Sequence, residues 1–262
     1  MKLLTLNCHS WQEKDQRNKI KYLAETIKEK QYDVIALQEV SQKKLSKKVE
    51  GNIRKDNFAL LLIKELELLN EENYDYIWDY SHIGYGIYEE GLTLLTKYKI
   101  VEKESFYVSE NSTKLFYKSR LIPRITIEYD NELIDFYSCH MGWWEDESEP
   151  FKLHLDNLKN KINTERQSFI MGDFNNNAYK EGEGYSYILE NGFKDTYIAA
   201  EEKDKGITVE GAIAGWSGEH SLKRLDLILS TREVDVKSSK VIFNGDNKEV
   251  ISDHYGVEVN IE

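Results

Sequence analysis

Asn7, Glu39, His140, Asp173, Asn175, Asp226, Asp253 and His254 are the side chains here best suited to chemistry, and all sit in short polar motifs along apolar runs. The motifs are Leu6-Asn7, Gln38-Glu39-Val40, Ser138-Cys139-His140, Gly172-Asp173-Phe174-Asn175, Arg224-Leu225-Asp226 and Ser252-Asp253-His254. Each follows or lies within a stretch that reads as a buried strand, so a central sheet can gather distant residues into one cleft. Carboxylates, amides and imidazoles converge there with almost no thiol. That donor set suits a hard cation and the cleavage of a phosphate ester.

The positioning elements follow from the pattern. Residues 2–6 read as a first strand, Ile20, Leu23 and Ile27 mark an amphipathic helix, and 33–37 read as a second strand. Asn7 and Glu39 therefore stand just past strand ends, where open α/β sheets place their ligands. Asp56 is the expected N-cap of a helix over about 57–69. Strands are expected over 91–96, 100–108, 124–129 and 133–139, the last two joined by a tight Asp130-Asn131 turn. Pro150 fits the first turn of a helix carrying Phe151, Leu155, Leu158 and Ile162. A strand over 168–171 delivers Gly172 to Asn175, a short helix over 185–190 stops at Gly192, and strands near Ile207, 224–230, 234–243 and 255–261 complete the chain.

The motifs span both ends of the 262 residues, and no Pro/Gly/Ser-rich linker divides them, so one domain over 1–262 is expected. The apolar start stops at Asn7, too short for a secretory signal, and no run approaches membrane-spanning length. A cytoplasmic protein with no membrane partner is the expectation. Cys8 and Cys139 offer neither a disulfide framework nor zinc-ligand spacing. A formal charge of −12, with lysines interleaved among acids, makes extended nucleic acid a poor substrate. The Lys43-Lys44-Leu45-Ser46-Lys47-Lys48 run reads as a solvated face.

In order and spacing these motifs resemble the endonuclease/exonuclease/phosphatase superfamily over essentially the full length. The resemblance implies a four-layer α/β sandwich, two packed mixed β-sheets flanked by helices. Glu39 is the expected principal Mg²⁺ ligand, with Asn7 and Asp253 completing the oxygen shell and Mn²⁺ as the substitute ion. Asp173 is expected to orient or activate the attacking water, and Asn175 to donate to a phosphoryl oxygen. His254 and Asp226 pair as imidazole and carboxylate, with His254 either the general base or a donor to the phosphate. His140 is expected to stabilise phosphoryl charge. Arg120 is the expected phosphate clamp and Arg124 its competitor. His9, His82, His154 and His220 receive no role.

A narrower likeness lies in His82-Ile83-Gly84-Tyr85, Glu89-Glu90-Gly91-Leu92, His140-Met141-Gly142-Trp143-Trp144 and Glu149-Pro150-Phe151, which resemble bacterial proteins of the maltose 6'-phosphate phosphatase type. Independently, Trp143 and Trp144 directly after a phosphate-binding His suit an aromatic wall against the C–H faces of a sugar. Trp11, Trp78 and Trp216, the last in Gly215-Trp216-Ser217-Gly218, are its candidate extensions. The function expected is Mg²⁺-dependent hydrolysis of small phosphorylated sugars by direct water attack. A metal-dependent nuclease and a sphingomyelinase-like diesterase are the alternatives, and the oligomeric state stays open.

Overall fold

The computed structural model describes residues 1–71, 73–216 and 220–262. The chain opens with β1 (Lys2–Asn7), α1 (Gln16–Lys30), β2 (Val34–Lys43), the small hairpin β3 (Lys48–Glu50) and β4 (Ile53–Arg54), and α2 (Phe58–Leu68). Four strands and a hairpin partner follow, β5 (Asp75–Gly84), β6 (Tyr88–Thr96), β7 (Ile100–Tyr107), β8 (Leu121–Tyr129) and β9 (Glu132–His140). Then come α3 (Phe151–Lys159), β10 (Gln167–Asp173), α4 (Gly184–Glu190), β11 (Lys194–Asp195), α5 (Thr196–Ala199) and β12 (Glu202–Lys203). The last strands are β13 (Asp226–Ser230), β14 (Val236–Ile242) and β15 (Gly256–Ile261).

One sheet has the order β12-β14-β15-β1-β2-β6-β5 and the other β11-β13-β10-β9-β8-β7. Both are mixed, with β1 parallel to β2 and β9 parallel to β10 among antiparallel neighbours. Their central strands, such as β1, β2 and β10, are largely apolar on both faces because both faces are covered. Leu3, Val34 and Ala36 enter the core between the sheets with Phe136, Phe169 and Met171. Their neighbours Leu4, Leu6, Ile35 and Leu37 point the other way, beneath α1 and α2. Cys139 and Ile170 pack under Phe151, Leu155 and Ile188 of α3 and α4. The result is helix, sheet, sheet, helix, the sandwich that the resemblance implies.

Several boundaries differ from expectation. Asn57, not Asp56, caps α2, because it stands immediately before Phe58 and its side chain accepts from Leu60 N–H. Asp56 instead accepts from Lys43 N–H at 3.2 Å. Pro150 occupies the cap of α3 with an extended ψ of 142°, just ahead of the first turn. The segment near Ile207 makes only a bridge, Val209 to Lys223. Strand β5 was not anticipated, since its polar residues interrupt any apolar run. Among the described residues no helix is long and apolar enough to cross a membrane.

Candidate active site

Strand pairing alone assembles most of the motif residues. Asp173 is registered opposite His140 on one side and Asp226 on the other, so three strand ends present them in a row. On the facing sheet Asn7 pairs with Gln38, which puts Glu39 one residue beyond. Gln38 Nε2 donates to Ser138 Oγ at 3.0 Å, and Ser138 Oγ donates to Leu37 O at 3.2 Å, tying the two sheets below the site.

Two backbone irregularities aim the side chains. The ladder between β2 and β6 skips between Leu37 and Val40, and Glu39 takes a left-handed φ of 51°. A non-glycine residue holds that conformation only when its surroundings enforce it. Ser10 supplies the enforcement, its Oγ donating to Glu39 O while accepting from Ser41 N–H. Gly172, at φ 147°, passes so close to β9 that a Cβ there would stand 1.9 Å from Cys139 O. No side chain fits.

Asn7 Nδ2 bridges the sheets, donating to Glu39 Oε1 at 3.0 Å and Asp173 Oδ2 at 3.1 Å. The ring of His254 lies between two carboxylates, with Nδ1 2.9 Å from Asp226 Oδ2 and Nε2 3.7 Å from Asp173 Oδ2. Burial disfavours its charge, yet Asp226 and Asp173 outweigh burial and push its pKa up to about 10. Burial, eased by His254 and reinforced by the like charge of Asp226, pushes Asp173 up to about 7. The pair titrates as a unit, with the proton resting on the imidazole. His140 Nε2 lies 3.7 Å from the same Asp173 oxygen, but burial and the charge of Arg120 hold its pKa well down and keep it neutral.

Glu39, Asp173, His140 and His254 face one cavity of about 380 Å³, lined also by His9, Glu90, Tyr85, Tyr117, Arg120, Trp143 and Gly215. Arg120 is buried at 5% exposure, its Nε makes no hydrogen bond, and its guanidinium lies 5.7 Å from the Trp143 ring centroid. Arg124 is elsewhere, bound to Glu102, Glu104 and Asp135. Trp144 departs from the expected wall. It packs on Phe151 and Tyr187, with centroids 6.5 and 5.8 Å away, because α3 and α4 cover that side of the loop. Trp78 and Trp11 spend their indole N–H groups on Val40 O and Ser41 O. Ser217 and Gly218 lie outside the described residues.

A model of the endonuclease/exonuclease/phosphatase family matches residues 4–254, the whole motif series. The chain belongs to that family. An endonuclease/exonuclease/phosphatase family protein from Leptotrichia buccalis shares 44% identity at a TM-score of 0.95, covering 100% of this chain and 99% of that one. A mannosyl-6-phosphatase from Bacteroides thetaiotaomicron shares the fold at 16% identity and TM-score 0.72, with 100% and 99% covered. TDP2 from Caenorhabditis elegans does so at 14% and 0.70, with 100% and 74% covered. No curated protein matches the chain. Members of the family hydrolyse phosphate esters, and they are generally metal dependent.

The residues fit a cation. Burial, with Glu90 and Asp253 close by, pushes Glu39 up to about 7 even though Asn7 donates to it. That surplus of negative charge in an oxygen-rich cluster is what a divalent ion offsets. Glu39 and Asp253, which line the same cavity, are carboxylates that could hold it. Asn7, expected as an oxygen ligand, turns its nitrogen to Glu39, while its Oδ1 accepts from His9 N–H at 3.2 Å. As it stands it joins the two carboxylates. Asp173, Asp226 and His254 also lie within metal-binding reach of one another, but the protonated His254 ring between the two acids already supplies positive charge there. His9, Glu13 and Asp253 form a third-side cluster in which Lys19, 2.6 Å from Glu13, already supplies positive charge.

Sequence reasoning passed over Glu90. Glu89 and Glu90 are adjacent on β6 and so point to opposite faces. Glu89 pairs with Arg54 at 2.7 Å, and Glu90 faces the cavity 3.4 Å from His82 Nε2. The pairing of His82 with Glu90 across β5 and β6 was the signal available, had β5 been recognised.

His154, given no role from the sequence, is a buried polar support. Its Nδ1 accepts from Gly142 N–H at 3.2 Å, which leaves the ring proton on Nε2, 3.2 Å from Glu149 Oε2. Glu149 in turn accepts from Glu110 and Asn111 N–H, so the loop carrying Trp143 is pinned from behind. Burial and Arg120 depress the His154 pKa to about 4. A neutral ring below its unfolded value near 6.5 adds stability that is complete above that pH and is lost as pH falls toward 4. Between pH 6.5 and 5, urea unfolding should show the wild type losing about 1–2 kcal/mol relative to His154→Gln. Parallel pH profiles would contradict this.

Proposed function

We propose that residues 1–262 act as one catalytic domain, a Mg²⁺-dependent phosphatase of small phosphorylated sugars. The observation that carries this reading is the walled cavity. A Cβ on Gly215 would stand 2.5 Å from Trp143 Cζ2, so the two loops meet and close one side. Its volume of about 380 Å³ suits a small ligand, and the charge of −12 disfavours a polyanion. The mannosyl-6-phosphatase that shares the fold is consistent with a sugar phosphate, as is the narrower sequence likeness.

In this reading Arg120 grips two phosphoryl oxygens from its buried position, and the Trp143 ring takes an apolar sugar face. Asp173 orients the attacking water and accepts its proton. His254, held protonated by Asp226, donates to the phosphate, and neutral His140 and Asn175 Nδ2 add hydrogen bonds as charge develops. Glu39 and Asp253 would hold a Mg²⁺ ion, with Mn²⁺ as substitute, and when bound it would supply neutralisation of the phosphoryl oxygens and leaving group. No covalent intermediate is needed, and catalysis requires neither membrane nor extended nucleic acid.

The test is phosphate release from maltose 6'-phosphate, trehalose 6-phosphate and glucose 6-phosphate with Mg²⁺ and with chelator. Selective, chelator-sensitive release from a disaccharide phosphate is expected. No release from any of the three would overturn the sugar assignment.

A further inference from the structure

Trp216 does not line the cavity, yet its indole reaches the reacting end of the site. Its Nε1 donates to Asn175 Oδ1 at 3.0 Å. Asn175 Nδ2 donates to Met141 O at 3.1 Å. Turning this amide over would set donor against donor at Trp216 and acceptor against acceptor at Met141, so the two contacts select one orientation. Met141 uses one Nδ2 hydrogen in that orientation. The other is left for an acceptor in the cavity that Asn175 lines.

The backbone cannot provide this control. Asn175 has a left-handed φ of 50°, and its N–H donates to Asp173 Oδ1 at 2.8 Å, which fixes the residue but not the rotation of its carboxamide. The segment bearing Trp216 is itself anchored. Fully buried Lys223 donates to Gly211 O at 2.9 Å and Ser221 O at 3.0 Å, and its ammonium lies 5.8 Å from the Trp216 ring. The indole N–H therefore meets the oxygen of the amide from a residue whose ring rests beside the Lys223 ammonium.

We propose that Trp216 is a positioning residue, whose indole N–H sets the Asn175 carboxamide so that its remaining N–H meets a phosphoryl oxygen. The inference rests on Asn175 as the phosphoryl donor. It predicts that Trp216 acts only through Asn175.

Indole ¹⁵N spectra test the bond without any turnover, and so separate failure here from failure of the sugar phosphatase reading. The Trp216 signal, assigned by its loss in Trp216→Phe, should move and exchange faster with solvent in Asn175→Ala. An unmoved, equally protected signal would overturn the inference. In a kinetic cycle with Mg²⁺ and para-nitrophenyl phosphate, Trp216→Phe should lower kcat about tenfold with KM within about twofold. In the Asn175→Ala background the same change should cost less than about twofold. Losses that multiply independently, or no loss, would overturn it. Trp216→Leu provides a second removal of the N–H if the Phe variant does not fold.

Discussion

Asp173→Ala should lower kcat by about 10²–10⁴-fold while moving the melting temperature by no more than a few degrees. The carboxylate lies at the centre of four of the site's residues. It accepts from Asn7 and Asn175, and it lies 3.7 Å from both His140 and His254. No neighbour duplicates it, so the loss in rate is large. Stability responds differently, because a carboxyl whose folded pKa is raised to about 7 opposes folding when ionised at higher pH. Its removal relieves that cost and offsets the two lost hydrogen bonds. Steady-state kinetics and thermal unfolding at pH 8 check both halves, and near-normal turnover by a folded variant would refute the role.

Glu39→Gln should abolish the response to metal. With Mg²⁺ bound only to the folded state, wild-type melting temperature rises as Mg²⁺ is added. The Gln variant lacks the principal carboxylate, so its melting temperature should stay flat and its half-saturating Mg²⁺ should rise by about 100-fold or more. Without metal at pH 8 the variant should be the more stable protein. Burial beside Glu90 and Asp253 raises the folded pKa of Glu39 to about 7, so its charge is a burden above that pH and is relieved as pH falls. A variant that melts lower than wild type in chelator would contradict this account of the cluster.

The sandwich and the row of strand-end residues were legible because they depend on local pattern. Apolar runs ending in Asn7, His140 and Asp173 mark strands covered on both faces, and strand pairing brings those ends together, whereas Glu39, expected just past a strand end, lies within β2 at the break in its ladder with β6. The remainder depends on information that sequence spacing does not carry. Trp143 and Trp144 are adjacent, and only the packing of α3 and α4 reveals that Trp144 is drawn to Phe151 and Tyr187. Arg120 and Arg124 are equally plausible by type, and what separates them is the carboxylate company that Arg124 keeps. Asn7 reads as an oxygen ligand until its nitrogen is found bridging Glu39 and Asp173. The pairing of Glu90 with His82 was not legible because β5, with its interrupted apolar pattern, did not declare itself as a strand.

The central claim is that the walled cavity hydrolyses terminal phosphate from small esters. Its most direct test is a side-by-side comparison of phosphate release from maltose 6'-phosphate and nicking of plasmid DNA, both with Mg²⁺ and with Asp173→Ala as control. The account predicts phosphate release that the substitution removes, with plasmid left intact. Nicking that is lost in Asp173→Ala, without phosphate release from the sugar ester, would contradict it and make this chain an acidic nuclease.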